Sequence, residues 1–136
     1  MKLSLTLSLS LLFALFAPSL AQGSSSEEAA KLFQAGVAKL EAQKRDIFTP
    51  SDTDEIEIKY DVKKTDSLIS PIVGLLTVTK RSQSGVTFID NITFSFADGG
   101  WEATKYVFTI DSLVGRKSQE RPLSEVPVPR IQECFK

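Results

Sequence analysis

From Glu55 to Lys63 the chain alternates without a miss: Ile56, Ile58, Tyr60 and Val62 fall on one face, and Glu55, Glu57, Lys59, Asp61 and Lys63 on the other. A period of two, with β-branched and aromatic residues on one side only, predicts a half-buried β-strand. Turn formers at Lys64-Thr65-Asp66-Ser67 break the pattern. Pro71 cannot donate to a ladder, so it belongs at a strand start or an edge. From Ile72 to Val78 the run is apolar on both faces, which predicts a central strand covered on each side. Gly74 within it predicts a bulge or a close approach by another backbone. The rest of the chain can be arranged around this strand pair.

The first residues read as an address. Lys2 precedes an uncharged, Leu-rich run from Leu3 to Phe16, and Ser19-Leu20-Ala21 places small residues where a signal peptidase reads. The apolar run is too short to span a bilayer, so residues 1–21 are expected to be a cleavable secretory leader, with cleavage after Ala21. Secreted or periplasmic localisation follows, with no membrane span after cleavage. Residues 22–25 read as a linker, 26–112 as one folded domain and 113–136 as an extended tail.

Within that domain, Ser26 supplies an N-cap, and Glu27 and Glu28 sit where acids complement a helix dipole. Ala29, Leu32, Phe33, Val37 and Leu40 mark one helical face, and Lys44 and Arg45 end it, giving a helix over 26–45. Gly36 among these apolar positions suggests close packing of the helix on a sheet. A third strand runs over 86–97 and a fourth over 101–111, joined by the hairpin signal Asp98-Gly99-Gly100. After Ser112 the periodicity stops, and Pro122, Pro127 and Pro129 predict an extended chain.

The residue census excludes much chemistry. There is no His, which removes His-based nucleophile systems, the HExxH metal site and the commonest general base. One Cys cannot build a thiolate zinc site or an intrachain disulfide. That thiol, Cys134, is expected either buried as a small apolar group or bridged to a second chain. With 16 basic and 17 acidic residues, the charge balance argues against nucleic acid as a partner. No cofactor is expected. Asp52, Asp54, Glu55 and Glu57 cluster but lack the Gly and distal Glu of a calcium loop, and read as a solvated face. Asp90 is sharper, because it interrupts the apolar face of the third strand. It is either a carboxylate at the mouth of a pocket or the site of a bulge that turns it to solvent.

Topology adds one surface. An antiparallel meander gathers alternate turns at one end, so Leu68, Ile69 and Trp101 should share a rim. Asp66, Ser67, Leu68, Ile69 and Trp101 are therefore the candidate binding residues for a protein or a small apolar ligand. The other reading is that the apolar ones fold inward and close the core.

A helix followed by a four-stranded antiparallel meander resembles the cystatin-type layout over roughly residues 26–111. In that family two hairpin loops on one rim enter a protease cleft, and Trp101 is similar in place to the family's second-loop Trp. The first loop here reads KTDSLIS rather than Q-x-V-x-G, and Gly100 rather than Pro precedes Trp101. The resemblance is thus one of layout, which implies a fold and not an activity. The expectation is an α+β fold: one N-terminal helix on a four-stranded meander, with an extended Pro-rich tail. The leading functional expectation is a non-catalytic binding module. The alternative is a small cone-shaped α+β protein, of the nuclear transport factor 2 kind, using Asp90 with Tyr60 or Tyr106 in a cavity. A third is an assembly component that pairs its tail, or Cys134, with another chain.

Overall fold

The computed structural model describes residues 17–48, 53–69 and 71–136. Helix α1 (Ala17–Ile47) is followed by β1 (Thr53–Lys64), β2 (Ile72–Ser82), β3 (Thr87–Ala97), β4 (Gly100–Ser112) and β5 (Gly115–Arg121), and then by a short helix α2 (Val128–Cys134). The five strands form one antiparallel sheet in the order β1-β2-β3-β4-β5, a pure meander. The fold is α+β, with one long helix on a five-stranded antiparallel sheet.

The strand pair predicted by the alternation over residues 55–63 and the apolar run over residues 72–78 is present as β1 and β2. Glu57 pairs with Thr79, Lys59 with Thr77 and Asp61 with Leu75 across β1 and β2. The inner face of the sheet carries Leu76, Val78, Ile92, Phe94, Trp101, Ala103 and Tyr106, all buried against Ala29, Phe33, Val37 and Leu40 of α1. Phe33 sits over Gly74, where an added Cβ would meet its ring at 2.5 Å. Gly74 therefore admits a side chain rather than the bulge or second backbone expected from the sequence. Both faces of β2 were expected to be covered, yet Val73 and Leu75 on its outer face are only half-buried.

Three expectations are corrected. The chain is already helical at Ala17, the first described residue, rather than from Ser26, so Ser24-Ser25-Ser26 lie within α1 instead of capping it. Of the expected leader, residues 1–16 lie outside the described residues, as do Asp52 and Ser70. The sheet has five strands rather than four. Residues 113–136 are not an extended tail: they turn at Leu113-Val114, add β5 to the sheet edge and return as α2. Pro129 falls in the first turn of α2, where its missing N–H costs nothing. Val128, Ile131, Cys134 and Phe135 are buried, and Phe135 fills the space that a Cβ on Gly36 would need, at 2.3 Å. Gly36 thus packs against the C-terminal segment, not the sheet. Among the described residues, no helix is long and apolar enough to cross a membrane.

Candidate functional site

Turns β1–β2 and β3–β4 lie at one end of the sheet, because Lys64 pairs with Ile72 and Ala97 with Gly100 there. Two strand spacings, about 10 Å, separate their centres. The β1–β2 loop is held by its own bonds. Thr65 N donates to Pro71 O (2.7 Å), Ser67 N to Thr65 Oγ1 (3.2 Å) and Ile69 N to Ser67 Oγ (3.2 Å). Pinned this way, the loop presents Leu68 at 99% and Ile69 at 90% exposure, with Asp66 and Ser67 exposed beside them.

Trp101 does not share that surface. It is 4% exposed, and its indole N–H donates to Ala29 O at 2.8 Å. Its ring stands edge-on to Phe33 (centroids 4.8 Å) and packs on Phe96 (5.1 Å). Gln132 of α2 brackets it, donating from Nε2 to Trp101 O (2.9 Å) and accepting from Ala103 N at Oε1 (2.7 Å). Trp101 thus closes the core at the rim, while Leu68 and Ile69 project from it. Outside this closure, Ala97, Asp98, Glu102, Leu123, Pro129 and Gln132 line a shallow groove of about 580 Å³.

Asp90 takes neither of the two places expected for it. The β2–β3 and β3–β4 registers run through it unbroken, with Asp90 opposite Val78 and Phe108. It keeps its inward phase and is fully buried. Lys80, on the same face of β2, brings its ammonium to 2.6 Å from Oδ2, off the direction of a well-formed hydrogen bond. Tyr106 donates its hydroxyl to Oδ1 at 2.6 Å. Phe48 and Phe108 flank the Lys80 ammonium at 5.5 and 5.7 Å, and the Arg121 guanidinium covers Phe108 at 4.4 Å. Burial, with the Asp90 carboxylate accepting its proton bond, pushes the Tyr106 phenol well above its ordinary range. The cluster is a charge-compensated layer of the core, with the Asp90 carboxylate fully buried and the Lys80 side chain 13% exposed.

Tyr60 lies elsewhere, half-exposed over α1 with its ring 5.7 Å from Phe33. Cys134 is buried; its Sγ lies 3.8 Å from Arg130 O, and burial pushes its thiol up. Glu55 and Glu57 are exposed on the outer face of β1, and no metal-binding group of acids exists among the described residues. One surface pair escaped the sequence reading: Leu113 and Val114 are fully exposed at the β4–β5 turn, at the opposite end of the sheet. Their apolar character was the available signal, but without β5 no turn was recognisable there. Comparison of the chain with family models, with curated proteins and with solved structures found no match.

Proposed function

We propose that the protein is an exported, non-catalytic binding module that engages a protein or a small apolar ligand through the β1–β2 loop. The observation that carries this reading is the pair Leu68 and Ile69, almost wholly exposed on a loop whose backbone is fixed by three hydrogen bonds. Adjacent aliphatic side chains held in water gain most when a partner covers them. A pre-shaped loop also loses little conformational freedom on binding. Trp101 and Gln132 would support the rim from inside rather than touch the partner. The Lys2–Ala21 leader belongs to the same proposal as the route of export. The cystatin-type comparison enters only as an analogy of layout, a helix across an antiparallel meander with loops gathered at one rim.

The test is affinity capture from the source organism's extracellular or periplasmic fraction, with the Leu68→Ser/Ile69→Ser double variant as control. A partner captured by the wild-type chain and lost with the double variant supports the loop as the contact. Equal capture by both removes the loop from the proposal. A Leu113→Ser/Val114→Ser control reports on the opposite turn.

A further inference from the structure

Strand β1 is one edge of the sheet, and it carries an alternating charge row on its outer face: Glu57, Lys59, Asp61 and Lys63, all exposed. Across the sheet these residues face Thr79, Thr77, Leu75 and Val73, so their neighbours on β2 are uncharged. Glu57 reaches Arg81 at 3.6 Å. Lys59, Asp61 and Lys63 make no ion pair among the described residues. On the inner face of the same strand, Ile58 and Val62 are half-buried and Tyr60 is 42% exposed. Two hollows open between this strand and α1. One lies among Ser26, Glu27, Ala30 and Val62, and the other among Glu41, Arg45 and Ile58. The edge is therefore long, carries apolar side chains with room beside them, and has charges without partners.

We infer that β1 pairs antiparallel with β1 of a second copy of the chain, about a two-fold axis through Tyr60, joining two five-stranded sheets into one. An antiparallel pair on a two-fold axis sets each residue opposite the one equally far on the other side of the axis. With the axis at Tyr60, Lys59 faces Asp61 and Glu57 faces Lys63, each twice. Every charge on the row meets its opposite. Ile58 faces Val62 on the inner side, and the two Tyr60 rings meet at the centre.

No neighbouring register does this. Moving the axis to Lys59 sets that residue against itself and Glu57 against Asp61. Moving it to Asp61 sets that residue against itself and Lys59 against Lys63. Exposed ion pairs contribute only about 0–1 kcal/mol each. Their role is to select the register by penalising the others. Affinity comes from the backbone ladder and from covering Ile58, Tyr60 and Val62. Lys44 donates to Ile56 O at 3.3 Å and bounds the free edge on that side.

The experiment is a charge swap on the full-length chain, read by analytical ultracentrifugation. Wild-type chain should sediment as a dimer. Lys59→Glu alone, or Asp61→Lys alone, should weaken self-association by roughly tenfold or more, because each sets like charges opposite one another twice. The double variant Lys59→Glu/Asp61→Lys should dimerise again. All the altered side chains are exposed, so the fold is not at stake. Register is read separately in a Cys134→Ser background. Tyr60→Cys should give a disulfide-linked dimer on oxidation, since paired residues on facing strands lie about 5 Å apart at Cα. Ile58→Cys, whose opposite residue is Val62, should not. A wild-type chain that stays monomeric at all accessible concentrations overturns the inference. So does a dimer indifferent to both reversals, or a double variant that remains monomeric.

Discussion

Asp90 is buried at no cost in unpaired charge because Lys80 and Tyr106 reach it from the two flanking strands. Taking one member away changes the balance. Asp90→Ala leaves the Lys80 ammonium between Phe48 and Phe108 without a counter-charge, and should cost about 3–5 kcal/mol. Replacing the whole cluster, as Lys80→Met/Asp90→Leu/Tyr106→Phe, should cost far less, since apolar side chains leave neither a charge nor the Tyr106 hydroxyl without a partner. Urea denaturation checks both, as a shift of midpoint at unchanged slope. A penalty below about 1 kcal/mol for Asp90→Ala would mean that water reaches Lys80 and that the cluster is open. The raised pKa of Tyr106 gives a second observable. The folded state holds this proton more tightly than the unfolded chain, whose phenol titrates at about 10. Its contribution is complete below that pH and is lost as pH rises beyond it toward the folded value. Tyr106→Phe should flatten this alkaline limb of the stability curve. A wild-type and variant difference that does not change above pH 10 would contradict the buried phenol–carboxylate bond.

At the scale of elements, what could be read from the sequence tracks the apolar pattern and fails where that pattern is silent. β1, β2 and β3 announce themselves by alternation or by an unbroken apolar run. β4 hides a bulge: Thr93 pairs with Lys105 but Phe94 pairs with Ala103, so Thr104 is extra. That added residue lets Trp101 and Ala103 share the inner face with Tyr106, although strict alternation would put them on opposite faces. Nothing in Thr104-Lys105, two polar residues, signals it. β5 reads GRKSQER, with no apolar residue, and is a strand because β4 offers it a ladder. Its positions find local partners, as when Ser118 meets Thr109 at 2.8 Å. Helix α2 was obscured by its prolines and by its seven-residue length. Its docking rests on Gly36, which predicts a selective effect. Gly36→Val should drive against the Phe135 ring and cost about 1–3 kcal/mol by overpacking. Hydrogen exchange should then speed in Val128–Cys134 while the β1–β2 ladder keeps its protection. Uniform acceleration across the chain would mean that α2 is not a separable unit.

The whole molecule is tied together at one side chain. Phe33 projects from α1 and meets every strand but the last: Tyr60 on β1 at 5.7 Å, Gly74 on β2, Phe94 on β3 at 5.5 Å and Trp101 on β4 at 4.8 Å. It also meets Phe135, beyond α2, at 4.8 Å. The sequence reading placed Phe33 on the buried face of the helix, because spacing reports a face. It could not show that five elements converge there, because convergence depends on the bulge in β4 and on the return of the C-terminal segment. The same limit applies to the candidate site. Exposure of Leu68 and Ile69 follows from a loop between two legible strands, whereas the inward turn of Trp101 depends on Ala29 and Gln132, which are remote in sequence. If Phe33 is the common contact, Phe33→Ala should cost about 3–5 kcal/mol, a large share of the 5–15 kcal/mol typical of a whole domain. The loss should be felt everywhere at once. Trp101 fluorescence, reporting the rim, and far-ultraviolet circular dichroism, reporting helix and sheet, should unfold at one shared midpoint, lowered together in the variant. Midpoints that separate, with the helix melting before the Trp101 environment, would show that α1 and the sheet are stabilised independently. Phe33 would then be one contact among several rather than the joint of a single core.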